Sequence, residues 1–307
     1  MEQTSMTALV SAFARAYHAE MHTVTVFNDT LAKILLGDAD YQHIADNMAN
    51  GIRYFNPAFI GTKAEALRWI VDHCLAPSPL GRAAYTETAL QTAVRLGTTQ
   101  YLIFAAGYDT FAYRQPSWAN NLQIFEFDTP SMLHDKQRRL GNANCTIPNN
   151  VHSIAADLVT TKWIQTLLEH PVFDPEAIGF CSLLGLSYYL SKQTWQSLLS
   201  ALGRLLPEGS TLVFDYPEET GFIEQTNAPI QKQAQLADAA NETMRARYSY
   251  PELEHLLSTA GFLIYEHLTP PEITAQYFES YNQASTYPMQ ALESVNYCLA
   301  VRKHSGC

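Results

Sequence analysis

The chain has no uninterrupted apolar stretch of spanning length, no cysteine pairs at the short spacings of zinc or dithiol sites, and no surplus of basic residues. Each shortage narrows what the protein can do. A membrane helix needs about 20 consecutive apolar residues. The start, MEQTSMTALVSAFARAYHAEMH, lacks the basic region and apolar stretch of a secretory leader. A cytoplasmic protein is therefore expected. Lys and Arg number 19 against 30 Asp and Glu, for a formal net charge of -11, so the global field repels phosphate backbones and anionic lipid surfaces. Neither nucleic acid nor a membrane is an expected partner, and no feature of the sequence fixes an oligomeric state. The five cysteines, Cys74, Cys145, Cys181, Cys298 and Cys307, are scattered and read as free thiols.

What is present is the composition of a packed protein. Hydrophobic residues make up 47% and charged residues 16%, which argues against a disordered chain. From Thr7 to about Trp69 apolar residues recur at helical spacing in ALVSAFARAY, TLAKILL and AEALRWIV. Pro77 and Pro79 are expected to break this prefix, and a new helix is expected over residues 81–96, ending at Gly97. Seven short apolar runs then alternate with amphipathic stretches: YLIFAAG, NLQIFEFD, VHSIAAD, IGFCSLLGL, STLVFDY, FLIYEHL and VNYCLAV. Helices fit between them at residues 131–140, 161–170, 192–206 and 250–260. The reading is α/β, with a seven-stranded, mostly parallel sheet covered on both faces and the last pair of strands closing it with an antiparallel edge. Residues 1–80 form a helical cap and residues 81–307 the core, with a polar helical lid inserted at about 217–248.

In an open α/β sheet, ligands bind beyond the carboxyl ends of the strands. The first strand ends at Ala105-Ala106-Gly107-Tyr108-Asp109-Thr110, where a glycine lets backbone approach a ligand closely, although an ordinary turn would look the same. The second ends Glu126-Phe127-Asp128. A carboxylate there can accept from the ribose hydroxyls of a nucleoside cofactor. Asp128 is the first choice and Glu126 the fallback, and capping of the next helix is the competing role for Asp128. The third strand ends with Asp157 and Leu158, a carboxylate beside an apolar side chain that could meet an adenine amino group and ring face, or cap a helix instead.

The segment GRAAYTETALQTAVRLGTTQYLIFAAGYDTFAYR, followed by IFEFDTPSMLHDKQRRL, ADL and SLLGLSYYLSKQTWQSLLSAL, resembles the leucine carboxyl methyltransferase-like family. Upstream, VFNDTLAKILL resembles that family's early Asp-Pro segment, with Thr30 in the place of proline. The resemblance runs from about Arg15 to Tyr216, and it implies a Rossmann-like class I methyltransferase fold with S-adenosylmethionine as cofactor. It also implies site roles. Arg82 pairs with the methionyl carboxylate, the Ala105 to Asp109 turn with Gly107 cradles the cofactor, Asp128 holds the ribose, and Asp157 and Leu158 lie near adenine. Two positions depart from the pattern. Ala105 replaces the first glycine of the family's usual turn, and Leu184 replaces its fourth-strand acid, which leaves backbone carbonyls near Leu184 and Gly185 to hold the methionyl amino group.

The expected reaction is methyl transfer to a carboxylate or hydroxyl oxygen of a small-molecule acceptor. An ionised carboxylate needs no base, whereas a hydroxyl does. Tyr188, Tyr189 and His18 are the candidate catalytic residues, with Asp215, Tyr216 and His22 as further pocket candidates. His18, Glu20 and His22 form a His-x-Glu-x-His string, but no third ligand is evident and no metal is expected. The alternatives are a protein C-terminal carboxyl methyltransferase, an NAD(P)-dependent oxidoreductase lacking the three-glycine turn, and a decayed cofactor-binding scaffold. Arg114 reads as structural, and Arg82 could instead form a salt bridge with Glu87.

Overall fold

The computed structural model describes residues 5–219 and 243–304, so most of the expected lid at 217–248 lies outside the described residues. The N-terminal prefix folds as α1 (Met6–Met21), α2 (Thr30–Leu36), α3 (Asp38–Asn50), α4 (Ile52–Phe55) and α5 (Lys63–Ile70), the last running into a π-helical turn over Val71–Leu75. The ends of these helices are written in local chemistry. The Ser5 hydroxyl accepts from the Ala8 amide, Asp29 caps α2 through Ala32, and Thr62 and Glu65 form a reciprocal capping box on α5. The expectation that Pro77 and Pro79 end the prefix is corrected by α6 (Pro77–Arg95), which starts at Pro77 itself. First-turn positions have no intrahelical acceptor for their amides, so proline loses no bond there and its fixed φ suits the helix. The expected boundary at residue 80 therefore falls inside α6.

The core elements follow in the expected alternation: β1 (Gln100–Phe104), β2 (Gln123–Asp128), α7 (Pro130–Asn142), β3 (Val151–Ala155), α8 (Lys162–Leu168), β4 (Gly179–Leu183), α9 (Lys192–Leu205), β5 (Thr211–Pro217), α10 (Tyr250–Thr259), β6 (Phe262–Leu268), α11 (Pro270–Ile273), α12 (Glu279–Ala284) and β7 (Val295–Arg302). The strands lie in the order β3-β2-β1-β4-β5-β7-β6. β7 pairs antiparallel with both β5 and β6, so the antiparallel strand sits one place in from the edge, and β6 itself forms that edge.

β1, β4 and β5 are buried along their whole length, as strands covered on both faces must be. Alternate residues serve opposite faces. Tyr101, Ile103, Phe180 and Val213 pack toward the cap helices, with Phe13 of α1 and Leu80 of α6, whereas Leu102, Phe104, Cys181 and Phe214 pack against Trp163 of α8 and Trp195 of α9. The edges are less protected, and on β6 Tyr265 remains 80% exposed.

Among the described residues, no helix is long and apolar enough to cross a membrane. His18 and His22 of the His-x-Glu-x-His string lie tilted to each other at 4.8 Å between ring centroids and pack on Tyr281. His18 is fully buried and its Nε2 accepts from the Val26 amide. Glu20 turns away to pair with Lys33, and among the described residues no group of three or more ligating side chains could hold a metal ion.

Two tests follow from this architecture. Burial, aided by His22 and opposed by Asp72, pushes the His18 imidazole down to about 4 from an ordinary 6.5. A base that is harder to protonate in the folded state leaves stability intact above pH 6.5 and erodes it as pH falls toward 4. At about 1.4 kcal/mol per pKa unit the loss reaches roughly 3 kcal/mol. Thermal melts of the wild type should show this fall between pH 6.5 and 4, and His18→Gln should flatten it. The second test concerns Ala105, whose φ of +51° is left-handed, a region that disfavours any side chain by about 1–2 kcal/mol. Ala105→Gly should melt no lower than wild type, because relief of strain offsets the entropy of the freer unfolded chain. Ala105→Val should melt several degrees lower.

Candidate active site at the carboxyl edge of the sheet

The carboxyl ends of the parallel strands open into a cavity of about 500 Å3. α1 contributes Ala8, Ser11 and Arg15 to its wall, the start of α6 contributes Pro79 and Arg82, and the segments 243–247 and 292–295 close the far side. Of the residues expected from sequence, the cavity brings together Arg82, Ala105, Gly107, Asp109, Asp128, Leu184, Tyr188 and Tyr189. It does not bring in Glu126, Asp157, Leu158, His18, His22, Asp215 or Tyr216.

The turn after β1 is shaped by two left-handed residues, Ala105 at +51° and Gly107 at +45°. Together they fold the chain back so that the Gly107 amide donates to Asp128 Oδ2 at 2.7 Å. The second oxygen of Asp128 accepts from the Thr129 amide, also at 2.7 Å. Two backbone donors use about half of the lone-pair positions of a carboxylate, which leaves acceptor capacity for ligand hydroxyls. Burial outweighs these bonds and raises the Asp128 pKa above the usual carboxylate value. Capping of α7 falls to Thr129, whose hydroxyl accepts from Met132, so Asp128 is not the cap. Asp109 accepts from the Phe111 amide at 2.8 Å and so shapes the same turn.

Glu126 belongs to the interior. It is fully buried, receives Lys136 Nζ at 2.7 Å and accepts from the Tyr113 hydroxyl, so its charge is matched inside the protein. Asp157 is exposed and closes its own turn on the Val159 amide at 3.0 Å, and Leu158 packs partly buried against the α8 and α9 side of the core. The cap of α8 is Thr161.

Arg82 does not pair with Glu87. Its Nη1 lies 3.2 Å from Oδ2 of the fully buried Asp215, and Glu87 pairs with Arg114. Leu184 and Gly185 form the turn after β4 beneath the guanidinium. Tyr188 is buried and donates to Asp215 at 2.9 Å. Burial first, and the Asp215 charge second, raise its phenol far above the ordinary range, so it is a fixed donor and a poor base. Tyr189 is half-buried on the cavity wall.

Sequence reasoning gave no role to Asp29, which is fully buried and lines the cavity. It receives Arg15 Nε at 2.9 Å and the Thr110 hydroxyl at 2.7 Å, with Arg114 Nε 3.7 Å away. Arg15 also donates to the Tyr108 carbonyl at 2.7 Å. This network ties α1 and the start of α2 to the turn after β1, and its sequence signals were the resemblance of VFNDTLAKILL to the family's early Asp-Pro segment and the place of Asp29 ahead of the helical TLAKILL.

The arrangement offers an elongated polar ligand a guanidinium at one end, a glycine turn in the middle and a carboxylate at the other end. Comparison with known proteins gives the family and the fold. The sequence profile described as leucine carboxyl methyltransferase matches residues 8–203, more than half of the chain. A Bacillus subtilis (strain 168) protein, YktD, whose name provisionally makes it an S-adenosyl-L-methionine-dependent methyltransferase, is 37% identical over 98% of this chain and 99% of its own length. A similarly named Mycobacterium tuberculosis protein, Rv3399, is 34% identical over 52% of this chain and 45% of its own. In fold, the chain resembles a provisionally named methyltransferase from Thermobifida fusca YX, with TM-score 0.56, 18% identity and coverage of 84% and 95%. It also resembles a DUF574 family protein from Streptomyces avermitilis, with TM-score 0.60, 15% identity and coverage of 96% and 97%. The chain belongs to the leucine carboxyl methyltransferase family.

Proposed function

We propose that this chain, an S-adenosylmethionine-dependent methyltransferase, transfers the methyl group to an oxygen of a small-molecule acceptor. The observation that carries the reading is the presence, in the lining of one cavity, of the Arg82 guanidinium and the Asp128 carboxylate. The donor set fits the cofactor. Arg82 spends one N–H on Asp215 and keeps the remaining donors of its fork for the methionyl carboxylate. Gly107 presents a bare Cα, with no side-chain atom but Ala8 Cβ within 4 Å of where a Cβ would stand. Asp128 has acceptor capacity left for the ribose hydroxyls. When bound, the cofactor supplies an electrophilic methyl group on a sulfonium sulfur.

The residues of the chain supply alignment and shelter. α1, stitched down by Arg15 to Asp29 and to the Tyr108 carbonyl, roofs the glycine turn and limits water. Holding donor and acceptor in one dry geometry can itself contribute about 7–11 kcal/mol of the barrier reduction. Tyr188, locked as a donor to Asp215, does not remove a proton from the acceptor, and no histidine lines the cavity among the described residues. Asp109, held on the Phe111 amide, and Glu293 are carboxylates on the same cavity wall, and an acceptor that arrives already ionised, a carboxylate, needs no base from either. Leu186, Met244 and Leu292 give part of the wall an apolar surface, and Arg245, Arg247 and Glu293 stand on the same wall with charges of both signs, a lining that accommodates a small, largely apolar acceptor.

Calorimetry should show that the wild type binds S-adenosylhomocysteine. Asp128→Asn and Arg82→Ala should each weaken that binding about tenfold or more, since a hydrogen bond to a charged group contributes about 1.5–3 kcal/mol. Full affinity in both folded variants would remove the site assignment. For the acceptor, methyl-labelled cofactor should mark a compound in the small-molecule fraction of a cell extract, and mild alkali should release the label as methanol, as from an ester. Label that resists alkali would point to a hydroxyl acceptor, and label confined to protein would contradict the small-molecule reading.

A further inference from the structure

The cavity wall owes its shape to a carboxylate that does not line it. Asp215, near the end of β5, is fully buried. Its Oδ2 accepts from Arg82 Nη1 at 3.2 Å and from the Tyr188 hydroxyl at 2.9 Å, and its Oδ1 accepts from the Gly185 amide at 2.6 Å. Its backbone carbonyl accepts from the Ser187 hydroxyl at 2.8 Å. One side chain thus holds three parts of the wall: the start of α6, the turn after β4, and the tyrosine that follows that turn.

A buried ion pair is a poor way to gain stability, since an apolar pair of similar volume usually serves as well or better. Its usefulness here is geometric. A Cβ on Gly185 would stand 2.5 Å from Arg82 Nη1 and 3.0 Å from its Cζ, so the guanidinium rests directly on the bare Cα of a residue at φ +63°. Seated there and anchored through Nη1, the planar group keeps its Nε and Nη2 edge unused by Asp215. Such an edge matches a carboxylate with two parallel bonds. Leu184 supplies no charge beside this turn, which makes Asp215 the carboxylate that organises this end of the cavity.

We propose that Asp215 is a positioning residue for the amino-acid end of the cofactor: through Arg82, Gly185 and Tyr188 it fixes the guanidinium that receives the methionyl carboxylate, and it does not itself touch the ligand. The proposal rests on the cofactor reading above and extends it to a residue outside the cavity wall.

The test compares two ligands on the full chain. S-adenosylhomocysteine carries the amino-acid end, and 5′-methylthioadenosine lacks it while keeping adenosine and sulfur. Asp215→Asn, which keeps an acceptor for the Gly185 amide, should raise the Kd for S-adenosylhomocysteine about tenfold or more and change that for 5′-methylthioadenosine less than about twofold. Equal weakening of both ligands would show that Asp215 merely shapes the pocket, and unchanged S-adenosylhomocysteine affinity would show that it does not position Arg82. Either result overturns the proposal. Should Asp215→Asn fail to fold, Asp215→Glu keeps the buried charge but shifts it by one methylene from Arg82, Tyr188 and the Gly185 amide, and the same selective loss is expected of it and the same two results overturn it. Wild-type protein that binds neither ligand would overturn the cofactor reading, and this assignment with it.

Discussion

The Arg82–Asp215 ion pair joins the second turn of α6 to the end of β5, and the cofactor end of the molecule is built around that join. Asp215 is fully buried, so its charge is tolerated only because Arg82, Tyr188 and the Gly185 amide all point at it. The same requirement keeps Arg82 at the cavity wall. A second buried carboxylate, Asp29, does for the roof what Asp215 does for the far wall, drawing α1, α2 and the turn after β1 together through Arg15 and Thr110. Each carboxylate fixes a boundary of the cavity by the donors it demands.

The sheet explains why these charges meet where they do. Parallel strands buried on both faces leave only their ends available for polar groups. β1, β2, β4 and β5 end at one side, and each delivers a turn or a carboxylate there. The carboxylates are then sorted by their partners. Glu126 is neutralised inside by Lys136 and held by Tyr113. Asp128, two residues on, lines the cavity with the Gly107 and Thr129 amides on its oxygens. The two acids share a face of β2, and depth along the strand separates them: Glu126 sits inside it, whereas Asp128 stands at its carboxyl end, where the cavity opens.

Much of this was legible in the sequence. The seven apolar runs and the helices between them announced the sheet, because continuous burial of central strands writes itself as uninterrupted Val, Leu, Ile and Phe. Asp128 and the Gly107 turn were readable because each stands at the end of an apolar run, one closing β2 and the other following β1. What stayed hidden depends on distance. Asp215 meets Arg82 across 133 residues and Asp29 meets Thr110 across 81, and no local pattern records such pairings. Pro77 was misread for a different reason: a proline that breaks a helix interior also opens a helix well, and only the following turn decides which. Asp157 and Leu158 carried the right residue types at a strand end, yet the chain bends them out of the cavity wall.

The most direct measurement of the central claim is a crystal structure of the protein with S-adenosylhomocysteine. The account predicts the amino-acid carboxylate of the ligand within hydrogen-bonding reach of Arg82, the ribose hydroxyls on Asp128, and the backbone of the Gly107 turn against the chain between them. A ligand bound elsewhere, or in the same cavity with its ribose toward Arg82 and its amino-acid end toward Asp128, would contradict it.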